Sequence, residues 1–197
     1  MKKSKFIAYT TLFLIFANPV LAQNITCNTP ISKNDSAKSI LRKYGKDAIL
    51  GDINGPEGEI YKGVILYPNN PKKRAEVLFY DEELKHPSSI QFENQSSTWN
   101  IAGLKIGDSL DKAVKINKNI ISMSGFDWDY GGYASNLHNG FLSEKNQKCT
   151  IGIRFEPRAN AQYNESLSGD RLIHSNNKAL KKLNPVIIEL SIGWAMQ

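Results

Sequence analysis

The chain has 197 residues, 41% of them hydrophobic and 22% charged, with a formal net charge of +6. That length suits one domain with a sizeable core, or two small halves sharing one. The lysines are dispersed among Asn and Glu instead of clustered, which excludes a nucleic-acid footprint.

The first element, MKKSKFIAYTTLFLIFANPVLA, reads as a secretory signal peptide. Lys2, Lys3 and Lys5 give a positive start, an apolar run covers Phe6 to Phe16, and Asn18-Pro19 breaks the helix before Val20-Leu21-Ala22. The run is shorter than the roughly 20 residues a spanning helix needs, so no transmembrane segment is expected in the exported chain. Cleavage is expected before Gln23, with no Cys there to form a lipobox. Removing residues 1–22 leaves 175 residues and, with three lysines gone, a net charge of +3. Cys27 and Cys149 are the only cysteines, and in an oxidising compartment an even pair reads as one disulfide.

A short helix is expected next along the chain, capped by Asn34, Asp35 or Ser36, with Ile40, Leu41 and Tyr44 on one face and Gly45 as its end. Strand candidates EIYKGVILYP, RAEVLFYD and SSIQFEN follow, separated by Pro-, Gly- and Asn-rich turns. A second helix is expected after Ser109, carrying Leu110, Ala113 and Val114, and then the apolar run Ile120 to Met123. KCTIGIRFE and PVIIELSIGWA read as further strands. The polar segment from Pro157 to Asn184 reads as a long loop with some helix from Asn177 to Leu183.

The plan therefore looks doubled, with halves at 31–98 and 99–197, each a capped helix followed by strands. SAKSILRKYG and SLDKAVKINK lie over each other from Ser36 and Ser109. The expected fold class is α+β: two helix-plus-antiparallel-meander units sharing a mostly antiparallel sheet in a single domain, 23–197. The stretch Leu104 to Leu110 and its helix resemble the tandem repeat of the β-lactamase-inhibitor-protein fold and of small outer-membrane-assembly lipoproteins. The missing lipobox departs from the latter. The segment from Tyr67 to Gly132, with S-x-W, G-x-x-x-G-D-S-L and GFDWDYGG, is similar to a group of secreted bacterial proteins of unknown function. The first resemblance implies an aromatic-bearing sheet face that binds another protein.

The candidate site is GFDWDYGG, residues 125–132. If the segment is extended, Asp127 and Asp129 share one face while Trp128 and Tyr130 share the other. One reading puts the acids in a cleft with the aromatics stacking on a sugar or peptide. The other sends Phe126, Trp128 and Tyr130 into the core and leaves the acids in water. The calcium-loop spacing is absent, and His86, His138 and His174 have no metal-ligand spacing. Glu57 and Glu59 read as a polar hairpin tip, Trp194 as core, and Trp99 as core or binding surface. No cofactor or metal is expected. The expected function is an exported soluble binding protein of the bacterial envelope, contacting a protein or cell-wall fragment through Asp127, Trp128, Asp129, Tyr130 and Trp99, without catalysis. The alternative is a small envelope hydrolase acting on glycan or peptide with Asp127, Asp129 and His138.

Overall fold

The computed structural model describes residues 23–162 and 164–196; the expected leader at 1–22 lies outside them. Strand β1 (Gln23–Ile25) leads to helix α1 (Ala37–Tyr44). The Ser36 hydroxyl accepts from the Ser39 N–H, and the Ser39 hydroxyl accepts from the Ser36 N–H. This reciprocal cap satisfies two donors that a helix start leaves orphaned. Gly45, at φ 54, ends the helix as expected.

A meander of four antiparallel strands follows: β2 (Ala48–Asn54), β3 (Ile60–Leu66), β4 (Ala75–Phe79) and β5 (Pro87–Phe92). β2 was not among the expected strands. Only Ala48 and Ile53 of its seven residues are buried, so it lacks the alternation that marks a strand in sequence. β6 (Trp99–Ile101) then pairs in parallel with β1.

Helix α2 (Leu110–Asn117) starts where the Ser109 hydroxyl accepts from the Lys112 N–H, and it buries Leu110 and Ala113. The remaining elements are β7 (Ser122–Ser124), β8 (Ala134–Asn136), α3 (Glu144–Gln147), β9 (Thr150–Glu156), β10 (Leu172–His174), α4 (Lys178–Leu183) and β11 (Val186–Gly193). The expected long loop thus contains one short strand, β10, in which Ile173 is the one buried side chain. The expected helix beside it is α4, capped by Asn177.

The main sheet has six strands in the order β2-β3-β4-β5-β11-β9, antiparallel throughout, and β10-β7-β8 form a small antiparallel sheet. The fold is α+β and largely antiparallel, as expected. The second half gives only β9 and β11 to the main sheet; β6 pairs with β1, and β7, β8 and β10 form the small sheet. One face of the main sheet is apolar, with Val64, Val77, Ile90, Leu190 and Ile153 all essentially inaccessible.

Trp99 and Trp194 both belong to this core, at 3% and 5% exposure. Each indole N–H donates to a carbonyl, of Lys73 at 2.7 Å and Cys27 at 2.9 Å respectively, which meets its need for a polar partner inside. Trp99 is therefore not a binding-surface residue: its ring fills space between β1/β6 and the meander.

Cys27 and Cys149 form the expected disulfide, tying the chain after β1 to the residue before β9. The bridge spans 122 residues of sequence, and closing so long a loop limits the unfolded chain by on the order of 4–5 kcal/mol. A Cys27→Ala/Cys149→Ala double variant should lose several kcal/mol in urea unfolding, and the same loss should follow reduction of the native protein. An unchanged midpoint would mean that the bridge adds nothing to the fold.

Candidate functional site

β9 is one edge of the main sheet, and the 125–132 loop covers it. The Phe155 N–H donates to the Gly132 carbonyl at 2.9 Å, and Tyr133 bridges Arg154. The Arg154 side chain donates from Nε to Gly131 O and from Nη2 to Asp129 O, each at 3.0 Å. Its guanidinium lies 4.7 Å from the centre of the Tyr133 ring, a cation–π contact. The approach is too close for any side chain at Gly132, where a Cβ would stand 1.9 Å from Phe155 O and φ is 78.

The segment before β10 holds the loop from its other side. The Gly125 N–H donates to Arg171 O, the Phe126 N–H to Leu167 O, and the Gly169 N–H back to Phe126 O. Phe126 is buried in the core. Asp127 accepts from the Ser168 hydroxyl at 2.7 Å.

The loop is not extended. Asp127 takes φ 63 and the chain turns from there to Gly132, so the acids and aromatics do not sort by alternation. Of the three aromatics only Phe126 enters the core. Trp128 anchors its N–H on Gly125 O at 2.9 Å and meets Tyr130 edge-to-face, ring centres 5.5 Å apart. Tyr130 is 40% exposed. The stretch is thus a sheet-edge cover on its backbone and an exposed aromatic–acid surface on its side chains.

Beside it lies a cleft of about 320 Å³, lined by Phe126, Asp127, Trp128, Arg154, Glu156 and Ile188 among others. The turn between β2 and β3 reaches the same surface. Glu57, ahead of burial and Glu59, holds the Tyr130 phenol above the usual tyrosine range, and the Tyr61 hydroxyl donates to Glu59. Two acid–aromatic segments far apart in sequence therefore meet here.

Beneath the loop, the Tyr133 hydroxyl donates to Glu189 Oε2 at 2.8 Å. Burial raises the Glu189 pKa, opposed by that hydrogen bond and by the nearby Arg154 charge. Burial, then the Glu189 charge, raises Tyr133 as well. Arg154, Tyr133 and Glu189 were missed in the sequence. The available signal was Arg154 itself, a cation in a strand whose apolar residues, Ile151, Ile153 and Phe155, all face the other way.

His138 lies elsewhere. Its Nε2 is 2.6 Å from the Ser122 hydroxyl, which is also 2.7 Å from His174 Nδ1. With both rings neutral, the hydroxyl donates to one and accepts from the other. Ser122 begins β7 and is fully buried, whereas the loop leaves the opposite end of that strand. His138 thus pairs with Ser122 and His174, and its hydrogen bonds among the described residues include none to Asp127 or Asp129. His86 is exposed in its turn and pairs with Asp81 at 3.0 Å. No group of three or more His, Cys, Asp or Glu among the described residues is arranged to hold a metal ion. Comparison with protein-family models, characterised proteins and solved structures finds no match to the chain.

Two outcomes follow from this geometry. Gly132→Ala should cost about 2–3 kcal/mol in thermal or urea unfolding, because the strand must yield to the new methyl or the loop must lift from β9. Glu189 titrates above its ordinary value of 4.5 when folded, so the native chain holds that proton more tightly than the unfolded chain. Its favourable contribution is complete below 4.5 and is lost as pH rises through the raised value. Glu189→Gln should flatten that decline in a stability-versus-pH series.

Proposed function

We propose that the protein is an exported, non-enzymatic binding protein of the bacterial envelope, and that Trp128 and Tyr130, with Asp127 and Asp129, form its contact surface. The observation that carries this reading is an aromatic pair, half-buried Trp128 against exposed Tyr130, on a loop tied down at Gly125, Phe126 and Gly132. A surface already ordered loses little conformational freedom on binding, which favours affinity. Aromatic faces stack on sugar rings and peptide groups, and the surrounding carboxylates accept hydrogen bonds from hydroxyls or amines. A cell-wall fragment fits that chemistry. The disulfide suits an oxidising compartment such as the periplasm, and no helix among the described residues is long and apolar enough to cross a membrane. The hydrolase alternative draws less support, since the His138 Nε2 it would use as a base is engaged by Ser122.

The test is a titration with soluble cell-wall fragments, followed by tryptophan fluorescence and by calorimetry. Trp128→Ala and Tyr130→Ala should each weaken binding by about 10-fold or more. Tyr130→Ala should leave unfolding nearly unchanged, because the ring is largely in water. Equal binding by the wild type and both variants, or no binding at all, would refute the proposal.

A further inference from the structure

The two edges of the main sheet differ. At β9 the outer backbone is met by Gly132 and Tyr133. At β2 the inner residues are fixed by two bonds, from the Tyr67 N–H to Asp47 O and from the Gly55 N–H to Glu59 O. In that register the odd-numbered residues of β2 bond to β3 and the even-numbered ones point outward. Among the described residues, the N–H and C=O groups of Leu50, Asp52 and Asn54 have no partner.

Exposed edges are usually blunted by proline, lysine, a bulge or a covering segment. β2 has none of these. Its pairing with β3 runs unbroken over its seven residues, and Ile49 and Leu50 stand 44% and 57% exposed on opposite faces. Its single charge, Asp52, is paired with Lys62 of β3.

We propose that this edge pairs with β2 of a second copy, antiparallel about a two-fold axis at Gly51, joining two six-stranded sheets into one. The residues select that register. Centred at Gly51, all seven residues overlap, and the outward-facing ones form the hydrogen-bonded pairs: Leu50 with Asp52 of the copy, and Ala48 with Asn54. Ile49 then stands across from Ile53 of the copy in the closer, non-hydrogen-bonded positions, and the two Leu50 side chains meet on the diagonal. Gly51 faces Gly51, with no side chain to hold the strands apart. A register centred on Asp52 would set two carboxylates against each other, and one centred on Leu50 gives up the Asn54 end. The charge pattern thus permits self-pairing in one full-length register. Because the interface is isologous and β9 is covered, association stops at the dimer.

Sedimentation velocity of the protein with its Cys27–Cys149 bridge intact, from micromolar to millimolar concentration, should show the mass double. Leu50→Glu sets a carboxylate directly across from Asp52 of the copy, and Asp52→Pro removes an outward N–H that the β3 ladder does not use. Both should remain monomeric, while Ile60→Lys, on β3 away from the seam, should still dimerise. Mixing Leu50→Cys with Asp52→Cys chains should yield a disulfide between copies, since hydrogen-bonded antiparallel pairs place their Cα atoms at bridging distance. A wild type that stays monomeric at millimolar concentration would overturn the proposal. So would a dimer that survives both seam variants, or a mixture that forms no cross-copy bridge.

Discussion

β11 is hydrogen-bonded along both sides, to β5 and to β9, and it is the strand that joins the two halves of the chain into one sheet. The first-half meander ends at β5. Without β11 beside it, β9 would have no place in the sheet, and the loop that rests on β9 would have no support. The irregularity between Ile187 and Glu189 also matters. It shifts the register so that Glu189 lies opposite Arg154, and Ile188 lines the cleft. Such long-range pairing carries a loop-closure cost, which the disulfide lowers by tying the start of β9 to the N-terminal arm.

From that seam the candidate site follows in a short physical chain. An uncovered β9 would leave backbone groups unpaired, and Gly132 and Tyr133 occupy them. Covering the edge brings Gly131 and Asp129 within reach of the Arg154 guanidinium, which in turn lies over Tyr133. Tyr133 supplies the hydrogen bond that the half-buried Glu189 needs. Each polar group is thus partnered, so the loop backbone is held from below while Trp128 and Tyr130 remain at the surface. The opposite edge, β2, has no such cover, and the contrast gives the molecule two surfaces of different character.

Much of this plan was legible in the sequence. Small polar residues at 34–36 and at Ser109 announce the first two helices, and of residues 34–36 Ser36 is the one whose side chain bonds the first-turn backbone. β9 and β11 announce themselves by alternating apolar residues, and the two cysteines by their number. β2 and β10 were hidden because each has so few buried side chains that no period appears. The glycines and turn-forming acids mark the loop, but nothing in them marks its conformation. A left-handed Asp127 cannot be read from its letter, and it undoes the alternation that would have set acids against aromatics. Trp99 gave no sign that a carbonyl 26 residues away would receive its N–H inside the core. The approach of Glu57 and Glu59 to Tyr130 depends on tertiary geometry alone.

The sheet edge holds the 125–132 backbone in one conformation, so that its aromatic pair is presented ready-made. Amide hydrogen exchange by NMR reads that hold at the donors that bind loop to scaffold: Gly125, Phe126, Phe155 and Gly169. Protection at these four amides close to that of β11 is the predicted result, because they would then open only with the sheet. Exchange at the rate of exposed, unbonded amides, with β11 still protected, would contradict it: the loop would be moving freely over β9, and no preformed surface would exist.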